Sequence, residues 1–561
     1  MNTNNFQPEG LPDEAALEHL ANELFRAMQT GNSTSAPSYA PTTPTGNGVS
    51  PQPYNGPAPI RDPLLQQGSV TDVRQAPTSL PDPHFAGSGL VPASVAGSGI
   101  SPSAAQQPYP GIRESSLEQE LQKALKQIHT PLFSGQLPGQ SPSYYFLDHS
   151  ALSGIPTPPL DINRIRADFP ILQEHVNGKR LIWLDNAATT QKPIHVIDRI
   201  SHFYKHENSN IHRAAHELAA RATDAYEDAR EKVRAFLNAS SVNEIIFVRG
   251  ATEAINLVAK SWGEQFLQSG DEIIVSHLEH HANIVPWQQL ASQKGLSIKV
   301  IPVDDDGQII LEEYARLLGP KTKLVAFTQV SNALGTITPA QQIVEMAHQA
   351  GAKVLVDGAQ AVSHMRSDMQ SLNPDWYVFS GHKVFGPTGI GVLYGKEALL
   401  NETRPWQGGG NMIKDVTFEH TQYQQAPARF EAGTGNIADA VGLGAAIDYI
   451  NHIGIEVIHQ YEHYLLQYAT SLLKNVPGLR LIGTAPDKTS VLSFVMKGHS
   501  TEQVGSALNQ QGIAVRSGHH CAQPILRRFG VESTVRPSLA FYNTCSDIDA
   551  LVQTLYRLGS V

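Results

Sequence analysis

The sequence predicts an α/β protein with a mainly parallel sheet, preceded by a long leader that lacks the pattern of a folded domain. From residue 162 onward, short apolar stretches alternate with helical patterns, which is typical of right-handed βαβ crossovers. The composition changes near residue 160, because the first 160 residues hold 23 of the 37 prolines and neither of the two cysteines. The folded part is therefore expected to begin close to that point.

The strand candidates of the α/β part are short apolar runs. They lie at 181–184, 245–248, 272–275, 298–301, 324–327, 353–356, 376–379 and 391–394. Helical patterns separate several of them, for example at 218–237 and 340–350. After Glu431 the sequence is rich in helical patterns and has a strand candidate at 490–495, which predicts a second, smaller domain.

The leader, residues 1–157, is predicted to be largely disordered. Its stretches at 37–59 and 86–110 are rich in Gly, Ser, Pro and Ala without a hydrophobic period, so they cannot bury enough apolar surface to offset the loss of chain entropy. Three short apolar boxes interrupt the leader, at 13–28, 115–128 and 144–147. A short amphipathic helix is marginally stable alone, so these boxes are expected to dock, either in a groove of another protein or on the globular part of this chain.

The charge and composition exclude several classes of function. With 41 Lys and Arg against 52 Asp and Glu, the net charge is −11, and no basic cluster offers a surface for nucleic acid or an anionic membrane. No apolar run approaches the ~18–20 residues of a membrane span, and the polar N-terminus does not resemble a secretory signal. Cys521 and Cys545 are too few for a disulfide framework or a zinc cluster, so we expect a reducing, intracellular setting.

Reactive residues follow the strand candidates, where ligands bind in open α/β sheets. The turn at 249–253 opens a helical run, and its backbone N–H groups and the Thr252 hydroxyl suit a phosphate; threonine is also a routine helix N-cap. Asp357 ends a strand candidate, where a carboxylate is a metal ligand, a helix cap or the partner of a cationic ring nitrogen. The absence of a nearby cluster with ligand spacing disfavours the metal.

A lysine and a pair of histidines complete this set. Lys383 lies between small residues after the candidate at 376–379, where burial would lower its pKa and make it a usable amine for Schiff-base chemistry; a lone lysine is otherwise more often a surface charge. His280 and His281 follow the candidate at 272–275, and the pair suggests either a metal or an imidazole stacked on a planar cofactor.

Together these residues describe a pyridoxal phosphate site. Lys383 would bond the aldehyde of the cofactor, and Asp357 would hold the proton of the ring nitrogen. The phosphate donors would be Thr252, Ser380 and His382.

At these residues the sequence resembles a known family. From about residue 158 to the C-terminus it resembles the group II (SufS-type) cysteine desulfurases, which are members of the class V aminotransferase branch of fold-type I enzymes. The matching strings run in family order at 184–190, 210–213, 249–256, 279–287, 356–361, 380–391, 429–434, 516–524 and 536–539. The resemblance implies a large cofactor-binding domain at 175–430 with a mainly parallel seven-stranded sheet. It also implies a smaller α+β domain formed by 158–174 and 431–561, and a homodimer with both active sites at the subunit interface.

The resemblance implies a role for each cofactor-binding residue. Lys383 carries the cofactor, and His280 stacks on its pyridine ring. Asp357 pairs with the ring nitrogen, and Gln360 bonds the ring oxygen. The implied phosphate ligands are Thr252, Ser380, His382 and, from the neighbouring subunit, Thr434.

The resemblance also implies the substrate site and the reaction. Asn332 and Arg536 hold the substrate carboxylate, and Arg516 lies in the active-site loop. Cys521 is the nucleophile, which accepts sulfur as a persulfide while L-cysteine becomes L-alanine; no metal takes part. His519, His520 or Arg516 would lower the pKa of the Cys521 thiol, unless Cys521 is a small buried apolar residue. The alternative functions are selenocysteine lyase and a class V aminotransferase-type enzyme without sulfur chemistry.

The leader resembles those of cysteine desulfurases that are carried as cargo in encapsulin nanocompartments. There, the extension loads the enzyme onto the inner wall of the shell. The resemblance implies a cytoplasmic enzyme that binds an encapsulin shell protein through residues 1–157 and supplies sulfur for transfer, storage or iron–sulfur cluster assembly. The alternatives are a leader that recruits a SufE-like sulfur acceptor and a leader that is only a solubilising tether.

Overall fold

The computed structural model describes residues 160–212 and 216–559. The predicted leader with its three apolar boxes, residues 1–157, lies outside the described residues, as does Arg213 of one matching string. Within the described part of the chain, no single helix is long and apolar enough to span a membrane. The helices Ile437–Ile453 and Ile455–Leu473 reach that length and hydropathy only as a pair, and they are bent by 74° at their junction.

The described part of the chain is an alternation of short strands and helices. The strands are β1 (His175–Val176), β2 (Lys179–Arg180), β3 (Ile182–Trp183), β4 (Ile245–Val248), β5 (Glu272–Ser276), β6 (Ser297–Ile301), β7 (Thr322–Thr328), β8 (Lys353–Asp357), β9 (Trp376–Ser380), β10 (Gly391–Gly395), β11 (Ile413–Val416), β12 (Thr421–Tyr423), β13 (Leu479–Leu481), β14 (Phe494–Met496), β15 (Ile513–Ala514), β16 (Arg516–Gly518) and β17 (Thr534–Arg536). The α-helices are α1 (Ile162–Ala167), α2 (Ile194–His206), α3 (Glu217–Phe236), α4 (Ala251–Val258), α5 (Glu264–Phe266), α6 (Val285–Lys294), α7 (Leu311–Leu317), α8 (Ala340–Gln349), α9 (Met369–Leu372), α10 (Glu397–Glu402), α11 (Ile437–Ile453), α12 (Ile455–Leu473), α13 (Thr501–Gln510), α14 (Gln523–Arg528) and α15 (Cys545–Gly559).

A seven-stranded sheet forms the centre of the fold, in the order β4-β10-β9-β8-β7-β5-β6. Strands β9, β8, β7, β5 and β6 are parallel to one another. Strand β10 is antiparallel to both of its neighbours. The predicted α/β class with a mainly parallel seven-stranded sheet is confirmed.

Both faces of this sheet are covered, which is why its strands are apolar runs rather than alternating patterns. Along β7, Val325 and Phe327 belong to the core on the side of α3 and α11. The neighbouring Leu324 and Ala326 belong to the core on the side of α4 and α6. Successive side chains of a strand point to opposite faces, so one continuous apolar run serves both cores.

The first strand candidate, at 181–184, takes a different place from the other seven. Its residues form β3 (Ile182–Trp183), which pairs in parallel with β15 outside the central sheet. A run of four apolar residues predicts a strand but does not specify its partner, because the partner lies some 330 residues later in the chain.

A second sheet is built from the C-terminal part of the chain, in the order β13-β14-β17-β16. Neighbouring strands of this sheet are antiparallel, and the sheet packs against α12, α13 and α15 in a third core. The candidate at 490–495 overlaps β14, whereas β13, β16 and β17 match no candidate. All four strands are three residues long, too short for a period-two pattern to stand out, and β14 was found because it overlaps a longer apolar stretch. The proposed domain boundaries, 175–430 against 158–174 with 431–561, stay a prediction.

Candidate active site

A cavity of about 190 Å³ lies at the carboxyl ends of β5, β7, β8 and β9, and residues of the β16–α14 loop and β17 also line it. This is the edge at which open α/β sheets bind ligands. Every predicted site residue except Thr434 lines the cavity. These residues are Thr252, His280, Asn332, Asp357, Gln360, Ser380, His382, Lys383, Arg516, Cys521 and Arg536.

Lys383 lies at the end of the short turn Gly381–Lys383 that follows β9. Removal of water from its amine lowers the pKa of Lys383 to about 8, and the Asp357 carboxylate offsets only part of this effect. A fraction of the amine is therefore neutral and nucleophilic near neutral pH. The reading of Lys383 as a surface charge does not fit this position.

Asp357 is the last residue of β8 and is only 4% exposed. One of its carboxylate oxygens accepts a hydrogen bond from the Ala359 N–H at 2.9 Å. Burial raises its pKa, and the positive charge of Lys383 opposes that rise. A buried carboxylate needs a cationic partner. The protonated ring nitrogen of a cofactor would be such a partner for Asp357.

His280 lies at the cavity wall as a neutral imidazole. Burial, followed by the charge of Lys383, lowers its pKa to about 3. Its Nδ1 accepts a hydrogen bond from the Ala282 N–H at 3.0 Å, which leaves the proton on Nε2. A neutral ring of this kind suits stacking on a planar cofactor.

The two adjacent histidines do not converge on one point. The His281 ring stacks on His519, with the ring centroids 5.8 Å apart and an interplanar angle of 25°. No group of three or more His, Cys, Asp or Glu among residues 160–212 and 216–559 could hold a metal ion. The geometry therefore favours stacking over the metal alternative for His280.

The residues predicted to bind the phosphate lie where β9, β10 and the start of α4 meet. The Ser380 Oγ accepts a hydrogen bond from the Ala251 N–H at 2.9 Å, which ties the two elements together. A Cβ atom on Gly391 would lie 2.5 Å from the Gly250 Cα, so only glycine allows this close approach. Thr252 follows in the first turn of α4, where N–H groups and the helix dipole favour an anion.

His382 belongs to the same end of the site. Burial lowers its pKa to about 4, so its imidazole is neutral near pH 7. Its backbone carbonyl accepts hydrogen bonds from the Thr190 N–H at 3.0 Å and from the Lys192 amine at 3.2 Å. These contacts hold the segment 190–192 against the turn Gly381–Lys383.

The two predicted substrate arginines share one carboxylate, which sequence reasoning missed. Asp185 contacts the Arg516 guanidinium at 3.2 Å and the Arg536 guanidinium at 3.4 Å. Burial raises the pKa of Asp185, and both arginines oppose the rise. Burial lowers the pKa of Arg536 to about 10, which leaves it charged near neutral pH. The sequence did carry a signal for this contact, because Asp185 directly follows the strand candidate at 181–184 and precedes the small residues Ala187 and Ala188.

Asn332 is tied to the loop that carries Cys521. Its Nδ2 donates to the His520 carbonyl at 2.8 Å, and the Arg536 Nη1 donates to the Asn332 carbonyl at 2.8 Å. The second N–H of this amide is therefore the donor that a substrate carboxylate could use.

The Cys521 loop adopts an uncommon backbone conformation. His520 and Cys521 have φ angles of 52° and 55°, a region that non-glycine residues rarely adopt. Asn332 holds the His520 carbonyl, and the His281 N–H holds the Cys521 carbonyl at 2.8 Å. The loop is thus pinned at two successive carbonyls, which presents the cysteine to the cavity.

Of the three alternatives for lowering the pKa of the Cys521 thiol, namely His519, His520 and Arg516, the structure rules out His520. His520 is 6% exposed, and its Nε2 contacts the Thr534 hydroxyl at 2.8 Å. Burial, together with the charge of Arg536, lowers the pKa of His520 to about 2. Its ring is neutral, so His520 brings no positive charge to the thiol.

Thr434 lies outside the cavity and is exposed. Its hydroxyl is 3.4 Å from the Asn210 amide oxygen. Its predicted role, as a phosphate ligand offered to the neighbouring subunit, stays a prediction.

The cavity residues fit pyridoxal phosphate. Asn332 Oδ1, Gln360 Oε1 and Arg536 Nε are buried polar atoms without a hydrogen-bond partner among the described residues. Native proteins rarely leave such atoms unpaired, so the site has capacity for a polar ligand. The amine of Lys383 and the carboxylate of Asp357 lie on the wall of the same cavity.

Comparison with known proteins identifies the family. Residues 182–551 match the aminotransferase class-V family. A cysteine desulfurase of Synechococcus elongatus is 69% identical over 398 residues, which cover 71% of this chain and 64% of the relative. A cysteine desulfurase of Dickeya dadantii is 52% identical over 398 residues, which cover 71% of this chain and 96% of the relative.

Solved structures agree with these relatives. The Escherichia coli cysteine desulfurase CsdA superposes with a TM-score of 0.66 at 40% identity, over 71% of this chain and 98% of that one. The match spans less than two thirds of the length of the Synechococcus relative. The chain therefore belongs to the aminotransferase class-V family of pyridoxal phosphate enzymes, in which its relatives are cysteine desulfurases.

Proposed function

We propose that the chain is a pyridoxal phosphate-dependent cysteine desulfurase, which converts L-cysteine to L-alanine and leaves a persulfide on Cys521. The observation that carries the proposal is a single cavity whose wall holds the Lys383 amine, the Asp357 carboxylate and the Cys521 thiol. The names of the relatives support the same activity.

The cofactor would be held along the cavity wall. Lys383 is its covalent anchor, His280 lies against the ring, and Asp357 and Gln360 bind the ring nitrogen and ring oxygen. The phosphate would be bound by Thr252, Ser380 and His382, with Thr434 supplied by a second subunit of a homodimer. When bound, pyridoxal phosphate supplies an electron sink for the negative charge that develops at the substrate Cα.

Lys383 and His280 are the groups that handle protons. With a pKa of about 8, Lys383 can take the substrate α-proton near neutral pH and return it within the same turnover. His280, neutral and protonated on Nε2, can donate a hydrogen bond without adding a charge beside the cofactor.

Arg536 and Asn332 would orient the substrate through its carboxylate. Arg536 is 2% exposed and already held by the Asn332 carbonyl and Asp185, so its guanidinium has little freedom to lose on binding. Its Nε is buried without a partner and is available to a carboxylate oxygen.

Cys521 performs the sulfur step. Its thiolate attacks the sulfur of the substrate, so that an S–S bond forms while the Cβ–S bond breaks. The electron pair of the broken bond stays on Cβ, which takes up a proton to give alanine. The strained, pinned loop holds the nucleophile in place for this attack.

The test is to assay alanine and sulfide from L-cysteine in the presence of a reductant, with the wild type, Cys521→Ser and Cys545→Ser. Cys545 is the matched control because it lies on α15, away from the cavity. Loss of both products only in Cys521→Ser supports the proposal. Full activity of Cys521→Ser, or cofactor-dependent transamination without sulfide, contradicts it. Selenocysteine, assayed beside cysteine, decides whether a selenocysteine lyase describes the enzyme better.

We further propose that the enzyme is of the group II (SufS-type) class and that residues 1–157 load it into an encapsulin shell. The matching strings and the proline-rich composition of the leader support this assignment. More than a third of the Synechococcus relative also lies outside the match.

Deletion of residues 1–150 separates the roles of the leader. If the leader is a cargo tag, the deletion abolishes co-purification with a co-expressed shell protein and leaves turnover of cysteine unchanged. If the deletion instead removes stimulation by a SufE-like acceptor, the leader recruits the acceptor and the cargo proposal is wrong. Packaging would place the enzyme inside a nanocompartment.

A further inference from the structure

A chain of buried polar groups leads from the cavity to a helix that does not line it. Gln360 lines the cavity, His364 follows it by four residues, and Glu462 lies on α12. The three residues are 2%, 3% and 2% exposed. No step proposed above uses His364 or Glu462.

The two hydrogen bonds that connect Glu462, His364 and Gln360 have a defined donor and acceptor. A Glu462 carboxylate oxygen lies 2.5 Å from His364 Nδ1, and His364 Nε2 lies 3.4 Å from the amide nitrogen of Gln360. A carboxylate only accepts hydrogen bonds, and an amide nitrogen only donates them. The neutral imidazole that fits the Glu462 carboxylate carries its proton on Nδ1, which donates to Glu462, and its Nε2 lone pair accepts from the Gln360 amide nitrogen.

This direction decides the orientation of the Gln360 amide. An amide that turns by half a rotation exchanges its nitrogen and oxygen with almost no change in shape. With the Nε2 lone pair of His364 on one side, the turned amide would place oxygen against a lone pair. The Gln360 Oε1 has no hydrogen-bond partner among the described residues, so His364 is the group that orients the amide.

The backbone of both supporting residues is also held. The Ser490 hydroxyl donates to the Glu462 carbonyl at 3.2 Å. The His459 Nδ1 lies 3.1 Å from the His364 carbonyl. The pair can therefore act as a rigid support rather than as two mobile side chains.

We propose that Glu462 and His364 are positioning residues, which hold the Gln360 amide in one orientation, so that the nitrogen that donates to His364 offers its second N–H to the ring oxygen of pyridoxal phosphate. The inference rests on the proposed function, because it requires the cofactor to bind beside Gln360. It links α12, a helix outside the cavity, to the hydrogen bonding of the cofactor ring.

The test is Glu462→Gln in the full-length holoenzyme. A carboxamide offers His364 Nδ1 either a donor or an acceptor, so the tautomer is no longer set and the Gln360 amide populates both orientations. We expect pyridoxal phosphate binding to weaken roughly twofold to tenfold, as for one hydrogen bond. We also expect the ratio of the two absorption bands of the bound cofactor to change at constant pH. His364→Leu, which removes both hydrogen bonds, should give the same changes and serves if Glu462→Gln does not fold.

Two controls separate positioning from loss of stability. Asp547→Asn breaks another buried pair, in which Asp547 lies 2.9 Å from Arg166 and does not line the cavity. It should lower stability and leave both readouts unchanged. In a Gln360→Leu background, Glu462→Gln should have no further effect on binding or on the bands, because its effect passes through Gln360.

Several outcomes would overturn the inference. The first is that folded Glu462→Gln and His364→Leu bind pyridoxal phosphate with wild-type affinity and show the wild-type band ratio. The second is that Glu462→Gln keeps its full effect in the Gln360→Leu background. The third is that Asp547→Asn changes the affinity and the band ratio in the same way. If the wild-type protein binds pyridoxal phosphate normally, these outcomes leave the proposed function intact. A wild-type protein that does not bind pyridoxal phosphate overturns the proposed function and the inference with it.

Discussion

The Lys383 amine is expected to react at a pH far below that of an ordinary lysine. The pKa of Lys383 is about 8, against an unperturbed value of 10.5. Burial disfavours the charged form, and the negative charge of Asp357 restores only part of the loss. Because only the neutral amine attacks an aldehyde, the lowered pKa decides how fast cofactor-free protein takes up pyridoxal phosphate.

The size of the effect follows from the two pKa values. At pH 7 about one in ten amines with a pKa of 8 is neutral, against roughly one in three thousand with a pKa of 10.5. The neutral fraction of Lys383 is thus about 300-fold larger. A lysine is neutral above its pKa, so the rate should rise with pH and level off above about 8 rather than continue to about 10.5.

The assay mixes cofactor-free protein with pyridoxal phosphate over a range of pH and follows covalent attachment by absorbance. The matched control is the same reaction with Nα-acetyl-lysine amide, whose amine is fully solvated. The ratio of the two profiles removes the ionisation of the cofactor itself and isolates the contribution of the protein.

The reasoning would be refuted if the attachment rate of the protein rose with pH in parallel with that of the reference amine, up to the pKa of the reference amine. Asp357→Asn provides a second check, since Asp357 raises the pKa of Lys383 more than any other group does. The midpoint of that variant should move to lower pH. Movement to higher pH would show that the charge of Asp357 does not reach the amine.

Three further predictions concern separate parts of the molecule. Cys521→Ser should lower sulfide release at least about a hundredfold and leave the cofactor spectrum unchanged, as measured by sulfide assay and absorbance. Arg536→Lys should raise KM for cysteine more than it lowers kcat, because a lysine cannot reproduce two-point binding of a carboxylate; equal losses in both constants would contradict this. Gly391→Ala should destabilise the fold by about 1–3 kcal/mol in denaturant unfolding, since its Cβ would meet the Gly250 backbone. Gly319→Ala, with no atom within 4 Å, should change stability by less than about 0.5 kcal/mol.

The strands of the central sheet could be predicted because burial on both faces makes each of them a continuous apolar run. The candidates at 245–248 and 391–394 coincide with β4 and β10 to within one residue. The strands β13, β16 and β17 could not be predicted, since three residues are too few for a pattern of period two and, unlike β14, they do not overlap a longer strand candidate.

The site residues could be predicted for a related reason. Asp357 and Ser380 are the last residues of their strands, and Lys383 lies in the turn that follows. Parallel strands end at one edge, so the order of motifs along the chain already places these side chains together. Thr434 does not follow a strand of this sheet, and its position depended on the resemblance alone.

Other features of the site depend on contacts between residues that are far apart in the sequence. Asp185 bridges Arg516 and Arg536, which lie more than 300 residues later in the chain. The neutrality of His520 could not be predicted either, because burial by remote segments lowers its pKa and a sequence does not show which segments surround a ring.

The amino-acid sequence was enough to predict the α/β class, the strands of the central sheet and the chemical types of the residues at its carboxyl edge. Local patterns are enough for these features, since they depend on neighbours along the chain and on the common direction of parallel strands. The folded chain was needed to see which side chains in the cavity keep their charge, that Asp185 contacts two arginines, and that Glu462 and Gln360 both contact His364. These depend on desolvation and on contacts between segments that are remote in sequence, and the free energy of a buried charge is set by its surroundings in space.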